Sequence, residues 1–130
     1  MLNFLSKGVK KIFGTKYERD INTYLPVVDQ VNEAFEKLQG LSNDELREKT
    51  HEFRQRITEY LTQIDHDIEQ VKAEGIEEED LVKKEELFKE LDELRLERDK
   101  QLEQVLKDIL PEAFAVVKET ARRFTHNETL

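Results

Sequence analysis

The 130 residues contain no cysteine, so neither a disulfide framework nor a thiolate metal site is available. That fits a reducing compartment. Tryptophan is also absent, and there are only four glycines and two prolines to turn the chain. So few reversal points favour a small number of long helices over a sheet. No apolar run approaches the roughly 18–20 residues that span a bilayer. The lysine-bearing N-terminus has no continuous apolar core of the kind a secretory signal carries. Hydrophobic residues make up 37% of the chain and charged ones 39%, which leaves little for a core. The length suits one domain. The fold class expected is all-α: an antiparallel helical hairpin with long charged helices, plus flanking N-terminal and C-terminal helices.

The net charge of −9 is unevenly placed: residues 1–16 carry four lysines and no acid, leaving −13 on the rest. Phosphate repels so acidic a body, so nucleic acid is not an expected partner. The basic tip is different. In "MLNFLSKGVKKIFG" Leu2, Leu5, Val9, Ile12 and Phe13 fall within one helical arc, with Lys7, Lys10 and Lys11 opposite. Residues 1–16 therefore read as a basic amphipathic segment suited to an anionic membrane surface or a partner. The same stripe would also serve for packing on its own protein.

Residues 17–130 read as a helical region. A helix is expected over 18–38, where Ile21, Leu25, Val28, Val31, Phe35 and Leu38 recur at helical spacing. Pro26 inside it implies a kink or a helix start. Ser42 and Glu45 form a capping box. Behind it Leu46, Phe53, Ile57, Leu61, Ile64, Ile68 and Val71 step by threes and fours or their sums, and Gly75 is taken as the break. The pattern resumes with Leu81, Phe88, Leu91, Leu94, Leu102, Val105 and Ile109. Hairpin helices over 42–73 and 77–109 are expected, with their turn near 73–77. Residues 58–108 hold 18 acids and 8 bases. Glu79–Lys83, Asp80–Lys84, Glu85–Lys89 and Glu103–Lys107 stand at i,i+4, each worth only about 0.2–0.5 kcal/mol. Pro111 suits a first turn and opens a last helix over 111–124. Leu110, Ala113, Phe114, Val117, Ala121 and Phe124 share one face of it, and Lys118, Glu119 and Arg122 lie largely elsewhere.

Catalytic patterns are not matched. Gly8 and Gly14 stand six apart, where a phosphate-cradling loop needs five followed by Lys and Ser or Thr. "HEFRQ" lacks the second histidine of a zinc-protease helix, and "DHDIE" lacks the glycine and glutamate of a calcium loop. His66, between two aspartates, reads as a solvated helix residue. No catalytic, cofactor-binding or metal-binding residue is assigned.

Two blocks are distinctive. "LSNDELREKTHEFRQRI" at 41–57 resembles the LS-D-E-L…KT-x-x-F-R-x-R region of the SecA family, the ATP-driven motor of bacterial preprotein export. "LPEAFAVVKETARRF" at 110–124 is similar to that family's L-P-E-A-F-A-V-V-x-E helix, and residues 1–20 resemble its start. The resemblance implies an N-terminal piece of a multi-domain cytoplasmic protein, peripheral on the bacterial inner membrane. Its partners would be the anionic membrane surface, the membrane protein-conducting channel and unfolded preproteins. ATP and Mg would belong to the complete protein and bind beyond residue 130, so this piece alone would neither bind nor hydrolyse ATP. Leu110, Phe114, Val117, Ala121 and Phe124 would pack on the nucleotide-binding motor. Here that face is expected to cover itself with the 18–38 helix, the hairpin base or a second copy of the chain. The family pattern implies a short link between the two blocks, whereas residues 57–109 intervene. No resemblance is expected across 58–108, which reads as a surface insertion or a lineage-specific docking arm. The alternative function is a free-standing coiled-coil adaptor or oligomerisation module.

Overall fold

The computed structural model describes residues 15–126. Three helices account for most of them: α1 (Lys16–Leu38), α2 (Asn43–Glu77) and α3 (Leu81–Thr125). No strand occurs among the described residues. The all-α expectation holds.

Each of the first two helices begins on a capping box. Thr15 Oγ1 accepts from the Glu18 backbone N–H at 3.2 Å, and Glu18 returns a carboxylate to the Thr15 N–H at 2.5 Å. Ser42 and Glu45 repeat this at 3.2 and 2.7 Å. Each box satisfies orphan donors of the first turn. The backbone bonds hold both glutamates below the usual carboxylate range. α3 begins differently. Asp80 Oδ1 accepts from the N–H groups of Val82 at 2.9 Å and Lys83 at 3.3 Å.

The chain forms two compact units, one of them Leu41–Leu110. It is the hairpin. Its core is a seam in which Leu46, Leu61 and Ile64 of α2 and Leu91, Val105 and Ile109 of α3 are buried. Burying such side chains contributes about 1.5–3 kcal/mol each before entropy is counted. The register is antiparallel. Gly75 faces Leu87 and Phe88, and ten residues back along α2 Asp65 meets Arg98.

Four sequence expectations are corrected here. The turn lies at 78–80, not 73–77. Gly75 sits inside α2, buried, where a Cβ would stand 3.6 Å from Leu87 Cβ. Glycine weakens a helix by only about 1 kcal/mol, and close helix packing outweighs that. Second, α3 runs through Pro111 without a break, so 77–109 and 111–124 are one helix. Proline forfeits a single bond, to the Lys107 carbonyl, and the turns on either side hold the helix together. Pro26 likewise lies inside α1 and starts no helix. Third, Leu81 leaves the seam at 80% exposure because it stands in the first turn at the tip, and Phe88 is 41% exposed while Leu87 turns inward. Fourth, Glu85–Lys89 and Glu103–Lys107 form at 2.7 and 2.8 Å, but Glu79–Lys83 and Asp80–Lys84 do not. Glu79 precedes the helix, Asp80 caps it, and Lys84 Nζ donates to the Glu78 carbonyl at 3.2 Å.

Candidate functional site

The other unit, in its described part, is α1 with α3 from Pro111 onward. Its geometry reverses the simple reading of "PEAFAVVKETARRF". The buried line is Ala115, Glu119 and Arg123, one helical turn apart each time. Glu119 is wholly buried. Arg122 approaches it with Nε at 2.9 Å from Oε2 and Nη2 at 2.9 Å from Oε1. Arg123 Nε adds a bond to Oε1 at 2.8 Å. The Arg122 bonds first, then those of Arg123, overcome the penalty of burial and hold the carboxyl at about 2. Sequence reading missed this cluster. Glutamate with arginines at i+3 and i+4 is the commonest pattern of a solvated helix face, and only burial separates the two cases.

The apolar face is exposed instead. Leu110 is 37% exposed, Phe114 59%, Val117 66% and Phe124 66%, and Ala121 is also exposed. The expectation that this face covers itself within the chain is corrected. α3 turns its small-and-charged line inward because Ala115 allows close approach and the guanidinium groups satisfy Glu119. On α1, Leu38 is buried and Val31 and Phe35 are half-buried, while Tyr17, Tyr24, Leu25 and Val28 remain exposed. Lys118 ties α3 to α1. Its Nζ donates to Asn32 Oδ1 at 2.8 Å and sits 4.2 Å above the Phe35 ring.

The proposed attachment residues Leu2, Leu5, Lys7, Val9, Lys10, Lys11, Ile12 and Phe13 lie outside the described residues. No described helix is long and apolar enough to cross a membrane. No group of three or more His, Asp or Glu among the described residues could hold a metal ion. No nucleotide chemistry is assigned to these side chains.

In the hairpin, Asp65 and Arg98 form the cross-seam ion pair. Arg98 Nη2 also reaches Asp65 Oδ2 at 3.5 Å. Asp65 belongs to "DHDIE", where His66 alone was read from sequence as solvated. His66 keeps that reading, with its side chain 70% exposed. At the hairpin tip an open hollow of about 700 Å³ is lined by six glutamates with Lys83 and Leu87.

These features define an all-α segment that presents uncovered apolar faces. A sequence model of the SecA DEAD-like domain matches residues 9–129. The protein translocase subunit SecA of Porphyromonas gingivalis is 41% identical over 122 residues, covering 94% of this chain and 11% of that protein. The SecA subunit of Christiangramia forsetii is 38% identical over 129 residues, covering 99% and 12%. That of Cytophaga hutchinsonii is 43% identical over 122 residues, covering 92% and 11%. No solved structure matches. The chain belongs to the SecA family, and it spans about a tenth of the length of the curated relatives it matches. Coverage this complete leaves no room for residues 58–108 to fall outside the matches. The expected gap in resemblance there is corrected: the sequence matches run through this stretch.

Proposed function

We propose that this chain is the N-terminal helical segment of an ATP-driven protein translocase that exports preproteins across the bacterial inner membrane. It scaffolds the nucleotide-binding motor and helps attach it to the membrane and its protein-conducting channel. The observation that carries this reading is the exposed face of α3, where Phe114 is 59% and Val117 and Phe124 are each 66% exposed, in a chain spanning about a tenth of its relatives. Apolar faces of this kind are covered by a partner, and the remainder of the family's chain is the nearest one. ATP and Mg belong to that remainder. The segment holding Lys7, Lys10 and Lys11 supplies attachment to anionic headgroups, each lysine contributing about 1 kcal/mol near such a surface. The protein is then cytoplasmic and peripheral.

Hydroxyl-radical footprinting tests the scaffold role. Phe114 and Phe124 should label several-fold less in the complete protein than in this chain alone, and equal labelling would refute it. Vesicle co-sedimentation tests attachment: equal binding of the complete protein to neutral and anionic lipid would count against it.

A further inference from the structure

The chain passes between its two units twice, and each crossing carries a residue that loosens the backbone. The hairpin unit, Leu41–Leu110, is continuous, so the crossings are Gly40–Leu41 and Leu110–Pro111. Gly40 stands at the first and Pro111 at the second. With only four glycines and two prolines in the chain, coincidence is a poor account of that placement.

The static structure asks for neither residue. Gly40 has no left-handed φ, and a Cβ built on it would meet nothing within 4 Å. Other residues would fit there, so what glycine adds is backbone freedom. That freedom is bounded on both sides. Leu38 is buried at the end of α1, and the Ser42–Glu45 capping box fixes the start of α2. Pro111 lies in the interior of α3, where proline is least suited: it donates no hydrogen bond, and its ring crowds the carbonyl four residues back. Sharp helix bends gather at such residues. This joint is bounded too, with Ile109 buried before it and Ala115 after it. Between the joints the hairpin has its own seam of buried leucine, isoleucine and valine, which holds it together as one body. A body with its own core, joined at weakened points, moves as a whole while the joints absorb the change.

We propose that Gly40 and Pro111 form a two-point hinge on which the hairpin swings as an arm. Gly40 takes up the change in φ and ψ. α3 bends at Pro111, where the Lys107 carbonyl has lost its helical donor. The motion belongs to the microsecond-to-millisecond class of hinged bodies. Under the scaffold role proposed above, the Phe114 face stays docked while the hairpin changes position. The hinge itself stands without that role, because both crossings lie within this chain.

Spin-label distance measurements test this on the whole chain, which has no cysteine of its own. One pair, Asp29→Cys with Leu96→Cys, spans the hinge. A second, His51→Cys with Leu96→Cys, lies within the hairpin. All three positions are exposed. The spanning pair should give a distance distribution at least twice as wide as the internal pair. Joint Gly40→Ala and Pro111→Ala substitution should halve the spanning width and leave the internal one unchanged, and either substitution alone should give part of the narrowing. Both changes favour the fold: an added Cβ at position 40 meets nothing, and alanine at 111 restores a helical hydrogen bond. Joint Pro26→Ala and Gly75→Ala substitution removes the same residue types away from the crossings and should leave both widths as they are. The proposal is overturned if the spanning pair is no wider than the internal one, or if the joint hinge variant leaves it as wide. It is equally overturned if the Pro26 and Gly75 control narrows it as much, which is general stiffening. Circular dichroism on each variant reports retained helicity.

Discussion

Arg123 donates from Nε to Oε1 of Glu119 across 2.8 Å, and that carboxylate has no exposure to solvent. Arg122 holds both carboxylate oxygens from the neighbouring position. A buried anion with its partners in place is tolerable, but removing one side leaves uncompensated charge and is strongly destabilising. The folded carboxyl titrates near 2, below its ordinary value. A depressed pKa gives stability that is complete above the unfolded value and disappears as pH falls through the folded one. Glu119→Gln should therefore destabilise the chain by about 3 kcal/mol near neutrality. The difference from the native chain should shrink from about pH 5 downward and vanish near pH 2. Urea melts of both proteins across that range check it, and a difference independent of pH would exclude the ionised cluster.

The two capping boxes have a more local effect. Ser42→Ala should cost about 1 kcal/mol. It should speed hydrogen exchange at the Glu45 amide, which the Ser42 hydroxyl holds at 3.2 Å. Exchange deep in the seam, at Leu61 or Ile64, should change only through global stability. Uniform acceleration would mean that the first turn of α2 does not open separately.

Asp65 and Arg98 join the hairpin helices through side chains that are 47% and 35% exposed. Solvent screens a pair this open, so a double-mutant cycle with Asp65→Asn and Arg98→Gln should return at most about 1 kcal/mol of coupling. That coupling should fall as salt rises. Coupling of several kcal/mol that resisted salt would show a drier seam.

The hairpin was legible because its aliphatic residues keep helical steps over a long span. Leu46, Leu61, Ile64, Leu91, Val105 and Ile109 were all read as seam and are all buried. Ser42 was readable as a cap from four letters. The boundaries were not. Gly75 and Pro111 are punctuation in sequence, yet both lie inside helices, because tertiary contact and the neighbouring turns outweigh one unfavourable residue. Arg98 fills the eight-residue step between Leu94 and Leu102, and nothing in its letter tells a seam cation from a surface one. Glu119 was hidden for the same reason. The apolar face through Phe114 and Phe124 was identified as a face, but which side of α3 this chain covers depends on what packs there, which periodicity does not encode.

Gly75 separates two accounts of the hairpin. If it were the turn, replacing it would remove the residue that lets the chain reverse, and alanine would destabilise. The structure puts it in the last turns of α2, buried against Leu87 and Phe88, with 3.6 Å and 3.7 Å available to an added Cβ. That is ordinary van der Waals contact, so a methyl group fits without displacing either neighbour. Alanine also restricts the unfolded chain and favours the helix, which together contribute about 0.5–1 kcal/mol. Gly75→Ala should therefore raise the melting temperature by about 2–5 °C. Gly75→Leu should lower stability by about 1–3 kcal/mol, because its branches must push Leu87 and Phe88 apart. Thermal melts of the pair decide the matter: a stabilised alanine variant beside a destabilised leucine variant places Gly75 between packed helices, whereas a destabilised alanine variant returns it to the turn.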